Sequence, residues 1–457
     1  MKCPSSMTKE ERKMKRAKAI LLSALMICML LASSCTAGGK TTLRFIDVTP
    51  RPDREAFYKE MITAFQKENP NVEVVYESVP WDDAANKLTV MATAKELPDI
   101  VNLYPGWMPQ YVSAGWVLPL DKYLDASGIK DKFSAYSRGM YWAEEIQQFK
   151  GIYTIPDGLM GSGIFVRTDW LKEAGLTVDS SWTWDDYFQV VEKLTDPAKN
   201  RYGISYRGAR GAFDRISQYL VSFTGGNMYD AEGNCLLYSP ENVERFIQFT
   251  DMYKKGFAPK DAINWGFAEM VDNFTGGLTG TLNNDTEVVA TCRERMKDGE
   301  WGVLPIPRST VDGKIYGTAG AAYAYGISAN SKHPDKAWKF IEFLSRPENN
   351  AAYAKMMTLI PVRTDIKDDP FFSTDGPMAG FINELNDPDY VLQAGYGPFN
   401  WMDLHEGPMH AEVQKYLQGN QSADETLKKL SDELTARMKK HLEANPGSVT
   451  MARPLVK

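Results

Sequence analysis

The stretch GIYTIPDGLMGSGIFVRTDWLKEAG, residues Gly151 to Gly175, decides how the chain is organised. Residues 152–155 are β-branched or aromatic and predict a short strand, which Pro156-Asp157-Gly158 then breaks. A second apolar strand is predicted over 164–166, followed by a helix over 170–174 that Gly175 ends. A chain that leaves one strand at a Pro-Gly break and begins a new strand-helix series either crosses between two lobes or turns within one domain.

Strand and helix patterns alternate on both sides of this stretch. Apolar or β-branched runs predict further strands over 43–46, 72–76, 99–103, 202–206, 279–282 and 302–304. Helical spacing is clearest over 57–65, 184–194, 335–345 and 427–438, and Ser239-Pro240 predicts another helix start. This alternation predicts an α/β fold with largely parallel sheets that helices cover on both faces.

Several short motifs follow one another along the chain in a recognisable order. They are FQKENPNVEVVY (65–76), LPDIV (97–101), SWTWDDY (181–187), WGVLPIP (301–307), HPDKAWKFIEFL (333–344) and IPVR (360–363). Together with residues 151–175 they resemble the extracellular solute-binding proteins of sugar-importing ABC transporters, the maltose-binding-protein-like family. The resemblance covers roughly residues 42–440 and rests on the order and spacing of the motifs, because each motif alone is common.

The resemblance implies a two-lobed periplasmic-binding-protein-like fold, with mixed, mostly parallel sheets flanked by helices and a ligand cleft between the lobes. Residues 151–175 are then the first crossover, and the chain returns near Tyr323 to Ser328 and crosses last near 365–375. We expect lobe 1 to hold residues 43–154 and 325–370, and lobe 2 to hold residues 155–324 and 371–457.

The N-terminus has the pattern of a targeting segment. Lys9 to Lys18 is basic, Ala19 to Ala32 is apolar, and Leu31-Ala-Ser-Ser-Cys35 follows. This pattern resembles the bacterial lipobox, although Ala32 stands where Leu is commoner. We therefore expect residues 1–34 to be a signal peptide, Cys35 to carry the lipid, and residues 35–42 to form a tether. A signal peptide without lipidation and a membrane anchor remain alternatives, although the apolar run is short for a spanning helix.

Charge and cysteine content narrow the function classes. Residues 1–34 carry a net charge of +5, so their removal takes the formal charge from −7 to −12. A chain this acidic does not favour nucleic-acid phosphates. Beyond the signal and Cys35 only Cys235 and Cys292 remain. Outside the cytoplasm they could pair or stay as two buried thiols, and we predict no obligatory disulfide.

Ligands of open α/β sheets bind beyond the carboxyl ends of the strands, which selects loop residues. The candidates that follow predicted strands or mark the crossovers are Arg51, Asp53, Trp81, Tyr104, Trp107, Asp157, Ser162, Arg207, Trp265, Asn284, Asp285, Tyr323 and Trp401. Carboxylates, amides and guanidinium groups share hydrogen bonds with paired hydroxyls, and flat rings cover the apolar face of a pyranose. The set therefore predicts a sugar site.

Tryptophan allows two interpretations. For Trp81, Trp107, Trp265 and Trp401, which lie in loop contexts, ligand contact and core packing remain open. For Trp170, Trp182, Trp184 and Trp338, which lie on or beside predicted helices, we expect packing in the core.

Motifs of catalysis and of cofactor binding are mostly absent. The chain has neither a Walker A sequence nor Gly-x-Gly-x-x-Gly, and Gly161-Ser162-Gly163 follows Met160, unlike a nucleophile elbow. His405 and His410 are one residue too far apart for a zincin motif, and Gly407-Pro408 breaks the helix that would align them. We expect no cofactor and no metal. A glycosidase pair of carboxylates stays possible, because carboxylates are plentiful.

The resemblance implies a monomeric, lipid-anchored binding protein on the outer side of the cell membrane. We expect it to be no enzyme, to bind a carbohydrate, most simply an oligosaccharide, and to deliver it to the permease of an ABC transporter. One alternative is a binding lipoprotein that feeds a membrane sensor kinase. Another is a surface enzyme, either carbohydrate-active or with Cys235 or Cys292 as nucleophile, which rests on analogy of fold alone.

Overall fold

The computed structural model describes residues 40–366, 369–374, 376–399, 401–405 and 407–454. Its strands are β1 Thr41–Asp47, β2 Val72–Ser78, β3 Ile100–Leu103, β4 Ile155–Pro156, β5 Leu159–Arg167, β6 Tyr202–Ile204, β7 Thr279–Asp285, β8 Trp301–Leu304, β9 Ile315–Gly317, β10 Ala319–Ala321, β11 Ala324–Ile327, β12 Tyr390–Leu392 and β13 Arg453–Pro454. The expected signal peptide and Cys35 lie outside the described residues.

Helices fill most of the chain between these strands. The α-helices are α1 Pro52–Glu68, α2 Trp81–Thr93, α3 Met108–Ser113, α4 Asp121–Ser127, α5 Ala135–Ser137, α6 Ala143–Phe149, α7 Thr168–Glu173, α8 Trp184–Leu194, α9 Ala212–Val221, α10 Pro240–Lys254, α11 Phe267–Thr275, α12 Val288–Arg295, α13 Pro334–Leu344, α14 Pro347–Met357, α15 Ala379–Asn386, α16 Met402–His405, α17 Pro408–Leu417 and α18 Ala423–Ala444. Within the described ranges, no helix is both long enough and apolar enough to cross a membrane.

The first sheet has the strand order β2-β1-β3-β11-β4. β1 runs parallel to β2 and β3, while β11 is antiparallel to both of its neighbours. Helices α1 and α13 pack on this sheet, and the ring of Phe45 in β1 meets Tyr58 and Phe340 edge-on at centroid distances of 4.9 and 5.8 Å. The buried face of β1 therefore holds together elements that are almost 300 residues apart in the sequence.

The chain passes from the first sheet to the second within two residues. β4 belongs to the first sheet and β5 to the second, so only Asp157 and Gly158 join them. Gly158 is required by a close approach, because a Cβ there would lie 2.5 Å from a methyl carbon of Leu359. The return passage is equally short, since β10 pairs with β5 and β11 lies in the first sheet.

The prediction of a strand over residues 152–155 is wrong for most of that range. Only Ile155 and Pro156 form a strand. The backbone N–H of Ile152 donates to the Asp121 carboxylate at 3.0 Å, and that of Tyr153 donates to the Glu145 carboxylate at 2.7 Å. Side chains on two other helices have therefore replaced the strand ladder there.

The second sheet has the order β10-β5-β7-β6, with β8 on the other edge of β5. It is mixed: β5 is antiparallel to β7, β8 and β10, whereas β6 and β7 are parallel. Helix α10 begins as predicted, because Ser239 accepts a hydrogen bond from the N–H of Asn242 and Pro240 follows the cap.

The terminal segment covers the second sheet and adds a third. β9, β12 and β13 form this small sheet, in which β12 is the central strand. Helix α18 buries Leu427, Leu430, Leu434 and Met438, which is the stripe that the sequence predicted.

Candidate functional site

A cavity of about 380 Å³ opens beyond the carboxyl ends of β3, β6 and β7, on one side of β5. Its wall therefore includes residues that follow strands of both large sheets. Among the predicted site residues, those that line it are Tyr104, Ser162, Arg207, Asp285 and Trp401. This volume lies within the usual range for small-molecule sites.

Ser162 and Asp285 form the polar floor of the cavity. They face each other in the register of β5 and β7, and Ser162 Oγ donates a hydrogen bond to Asp285 Oδ1 at 2.8 Å. Arg215 Nη2 lies 3.2 Å from the other oxygen of the same carboxylate. Neighbouring Asn284 is fully buried, and its side-chain oxygen accepts the N–H of Asp285, so it supports the floor from behind.

Helix α9 supplies cavity residues that the sequence analysis missed. Asp214, Arg215 and Gln218 line the wall, and so does Tyr396 from the loop after β12. Asp214 accepts hydrogen bonds from His405 Nε2 at 2.8 Å and from the Tyr396 hydroxyl at 2.9 Å. Because these polar residues lie inside a helix, a rule that selects strand ends passes over them. Their signal was a helix of mostly apolar residues that also buries the polar side chains of Arg215, Ser217 and Gln218.

Opposing effects set the pKa of Asp214. Burial acts to raise it, but the positive charge and hydrogen bond of His405, and then the charges of Arg207 and Arg215, lower it to about 2. The carboxylate is therefore ionised throughout the physiological range and holds the Tyr396 and His405 side chains in place.

Methionine supplies much of the apolar wall. The four methionines that line the cavity are Met108, Met140, Met160 and Met228. The aromatic side chains of Tyr104, Tyr141 and Trp401 share this wall. The cavity therefore offers both polar groups and broad apolar contact, which suits a ligand with hydroxyl edges and apolar faces.

Asp157 and Tyr323 lie outside the cavity lining, in a buried group that we call the crossover cluster: Asp47, Arg54, Asn102, Asp157, Tyr323 and Tyr353. Arg54 Nη2 lies 2.9 Å from Asp47 Oδ1 and 4.0 Å from Asp157 Oδ2, and all three side chains are fully buried. Asp157 also accepts hydrogen bonds from the Tyr353 hydroxyl at 2.9 Å and from the backbone N–H of Tyr323 at 3.2 Å. Asp157 thus ties the two passages between the sheets together.

The pKa of Asp157 shows the cost of that position. Burial raises it to about 6, although the charge of Arg54 and the hydrogen bonds from Tyr353 and Asn102 act to lower it. Removal of water around the carboxylate therefore outweighs the one guanidinium group and the hydrogen bonds that stabilise its charge.

Of the four loop tryptophans, one lines the cavity and three do not. Trp401 lines the cavity. Trp81 is half-buried and stacks on buried Trp107 at a centroid distance of 5.3 Å, which places both behind Tyr104. Trp265 is also buried, and its indole N–H donates to Asp261. Trp107, Trp81 and Trp265 are outside the lining of this cavity because each packs against other parts of the protein.

The other tryptophans and the pair Arg51 and Asp53 lie away from the cavity. Those predicted to pack in the core, Trp170, Trp182, Trp184 and Trp338, are buried. Arg51 and Asp53 form an exposed ion pair with a shortest N–O distance of 2.5 Å, away from the cavity lining.

Cys235 and Cys292 are free thiols, as predicted. Burial raises their pKa values to about 11 and about 12, and neither lines the cavity. A thiolate nucleophile is disfavoured at both positions. Among the residues that the structure describes, no group of three His, Cys, Asp or Glu could hold a metal ion.

Comparison with known proteins gives one consistent result. Residues 50–351 match the family model described as bacterial extracellular solute-binding protein. The maltotriose-binding protein of Pyrococcus abyssi is 24% identical over 396 residues, which cover 83% of this chain and 81% of that protein. An uncharacterized lipoprotein of Streptomyces antibioticus is 24% identical over 370 residues, which cover 77% of this chain and 78% of that protein.

A solved structure shows the same architecture. The ABC substrate-binding protein Lmo0181 of Listeria monocytogenes, in complex with cycloalternan, has a TM-score of 0.72 at 22% identity. The alignment covers 87% of this chain and 99% of that one. The likeness shows the predicted two-lobed α/β fold.

Proposed function

Since the chain belongs to the family of bacterial extracellular solute-binding proteins, we propose that it binds a carbohydrate, most simply an oligosaccharide, in the cavity between its two large sheets. The observation that carries this proposal is the convergence of Tyr104, Ser162, Arg207, Asp285 and Trp401 on one cavity wall. Charged and hydroxyl groups there can share hydrogen bonds with sugar hydroxyls, and the rings can cover the apolar face of a pyranose.

The names of similar proteins support the same ligand class. The relative from Pyrococcus abyssi is named for maltotriose, and the structure from Listeria monocytogenes holds cycloalternan. Both names refer to saccharides of more than one unit. They support an oligosaccharide without identifying the sugar, since the identities are 24% and 22%.

We further propose that residues 43–154 and 325–370 form lobe 1 and residues 155–324 and 371–457 form lobe 2, except that Ile155, Pro156 and Ala324 pair in the first sheet and belong with lobe 1. A ligand that contacts both lobes has more contacts in a closed arrangement than in an open one, so its binding favours closure. In this proposal a membrane permease recognises the closed form, the protein acts as a monomer, and no covalent chemistry occurs. A sensor kinase as the recipient remains the alternative.

The binding proposal is tested by thermal melting against a panel of neutral and acidic oligosaccharides, with amino acids and short peptides as the comparison group. A ligand at about 100 times its Kd stabilises the folded form by roughly 2.7 kcal/mol. We expect at least one saccharide to raise the melting temperature. A chain that amino acids or peptides stabilise, and no saccharide does, would contradict the proposal.

The anchoring proposal rests on Leu31 to Cys35, together with the name of the Streptomyces antibioticus relative as a lipoprotein. We expect the wild-type protein to incorporate radiolabelled palmitate and to sediment with membranes. Cys35→Ala should abolish both, while Cys235→Ala, a matched change at a free thiol, should leave both unchanged. Palmitate in the Cys35→Ala protein would show that Cys35 is not the lipid site.

A further inference from the structure

The Arg207 side chain is held at the cavity wall by the backbone of its own loop. Its Nε donates to the carbonyl oxygen of Arg210 at 2.7 Å. A Cβ at Gly211 would lie 2.7 Å from Arg207 Cζ, so the guanidinium group occupies the space that a side chain there would fill. Gly211 has φ +83°, which L-residues rarely adopt. The loop therefore fixes this cation before any ligand binds.

No carboxylate of the described chain is bonded to this guanidinium group. Within the described residues, the Arg207 side chain makes one hydrogen bond, from Nε to the carbonyl oxygen of Arg210. Two nearby acids have other partners: Asp285 is bonded to Ser162 and Arg215, and Asp214 to His405 and Tyr396. For a third, Glu287, burial and then the charge of Asp285 raise the pKa to about 7, so it is a weak counter-ion for Arg207 near neutral pH. The two terminal nitrogens of Arg207 thus remain available to a ligand in the cavity.

Arg215 adds a second cation to the same wall. It is nine-tenths buried and lines the cavity, and its Nε has no hydrogen-bond partner in the part of the chain that the structure describes. Burial, and then the charge of Arg215, lower the pKa of Arg207 from its ordinary value, although Asp214 and Asp285 act in the opposite direction. The two guanidinium groups therefore repel each other, and an anion that contacts both would relieve that repulsion.

We propose that the ligand is an acidic saccharide, and that Arg207, supported by Arg215, binds the carboxylate of a uronic acid unit. This inference rests on the proposed carbohydrate function and names the class of sugar. A planar guanidinium group presents two parallel N–H donors that match the two oxygens of a carboxylate. A neutral hydroxyl would use one donor at a time and would leave the charge without a counter-ion.

The other acids of the wall favour a singly charged group over a doubly charged one. Asp214 and Asp285 lie on the same wall and would repel a phosphate dianion more strongly than a carboxylate. A uronic acid unit also keeps a pyranose ring for the aromatic and methionine side chains, which a small organic acid lacks.

The test compares each acidic trisaccharide with its neutral form. Calorimetry at low salt would use trigalacturonate, trimannuronate and the glucuronate trisaccharide, each beside the counterpart whose carboxyl groups are reduced to alcohols. The proteins are wild type, Arg207→Gln, Arg207→Lys, and Arg346→Gln as the control. Arg346 is bonded to Glu68 through both oxygens on the surface, so the control makes the same charge change away from the cavity.

We expect one acid to bind wild type at least ~10-fold more tightly than its reduced form, which is the size of a hydrogen-bonded charge pair. Arg207→Gln should remove this preference, Arg207→Lys should restore part of it, and Arg346→Gln should retain it. Tighter binding of reduced forms, or a preference that survives Arg207→Gln, overturns the inference and leaves the carbohydrate function standing. Binding of none of these trisaccharides overturns the inference alone, and the melting panel then decides the carbohydrate function separately.

Discussion

The crossover cluster and the cavity wall both contain arginine and aspartate, but the arginines differ in whether a carboxylate is bonded to them. In the crossover cluster, Arg54 Nη2 contacts Asp47 and Asn102 at 2.9 and 2.8 Å, and the guanidinium carbon lies 5.1 Å from the ring centroid of Tyr323. On the cavity wall, the Arg207 side chain is bonded to a single backbone carbonyl and to no carboxylate of the described chain. The difference teaches that Arg54 is committed to carboxylates of the fold, whereas Arg207 is not, which is why the proposed ligand contact is assigned to Arg207.

Two aspartates repeat this contrast in their pKa values. Burial raises that of Asp157 to about 6, whereas His405, Arg207 and Arg215 bring that of Asp214 down to about 2 against the effect of burial. Asp157 shares one cation with Asp47, whereas two arginines, Arg207 and Arg215, act on Asp214 in addition to His405. Within the described residues the Arg207 side chain is bonded to no carboxylate, and this is the feature that an anion-binding role requires.

The largest expected effect separates the two arginines by stability. Arg54→Leu should lower the free energy of unfolding by roughly 3–5 kcal/mol, because it leaves the buried carboxylates of Asp47 and Asp157 without their cation. The matched change Arg207→Leu should lower it by less than about 1 kcal/mol, since no carboxylate is left unpaired. Urea unfolding of both variants measures the difference. Equal losses would remove the distinction between the two regions.

The next comparison uses two tryptophans. Trp265→Ala should cost roughly 3–5 kcal/mol of stability, because a buried indole leaves a large cavity. Trp401→Ala should weaken saccharide binding by ~2 kcal/mol, the usual cost of truncating a central aromatic contact, with a small change in melting temperature. Melting curves and calorimetry on both variants test this. A Trp401→Ala protein that binds normally but melts much earlier would show that Trp401 belongs to the core.

The smallest effect concerns pH. In the folded protein Asp157 has a pKa of about 6, above its ordinary 3.8, so between these values the folded form holds more protons than the unfolded form. The free energy of unfolding should therefore fall by ~2 kcal/mol as pH rises from about 4 to about 6. Asp157→Asn should make the decline shallower by this amount, and the part that arises from Glu287 and Glu384, whose pKa values burial raises to about 7 and about 8, should remain. Urea unfolding across that range measures the difference.

Asp214 serves as a control, because its contribution to the free energy of unfolding changes with pH in the opposite direction. Its pKa of about 2 lies below the ordinary 3.8, so its contribution to stability is present above about pH 4 and is lost as the pH falls towards 2. Asp214→Asn should weaken the acid limb alone and leave the pH 4–6 decline intact. A variant that changes the decline instead would exchange the roles assigned to the two aspartates.

The order of elements could be predicted from the sequence because local patterns specify it. The break at Pro156-Asp157-Gly158 lies where the chain changes sheets, and Ser239-Pro240 begins a helix as expected. The strand over 152–155 could not be excluded, because the carboxylates of Asp121 and Glu145 that bind its N–H groups come from helices α4 and α6. The pattern of apolar residues within a segment does not show whether side chains from distant helices will bind its backbone N–H groups.

The site was half predictable for the same reason. The rule that ligands bind beyond strand ends found Tyr104, Arg207 and Asp285. It passed over Asp214 and Arg215, because a residue inside a helix reaches a cavity only if the helix is turned towards it. The rule also selected Asp157 and Tyr323, which follow strands but lie in the crossover cluster.

By itself, the sequence determined the α/β class, the places where the chain changes sheets, the family and the acidic charge of the chain. These follow from local patterns of apolar residues, charged residues and the Pro and Gly residues that end a strand or helix. Each such pattern lies within one short segment of the chain. Only the tertiary structure decided which arginine has a carboxylate partner, which tryptophan faces the cavity and which aspartate is protonated near pH 6. Those properties depend on the distance between charges and on the water removed around them, and both arise only when segments distant in sequence pack together.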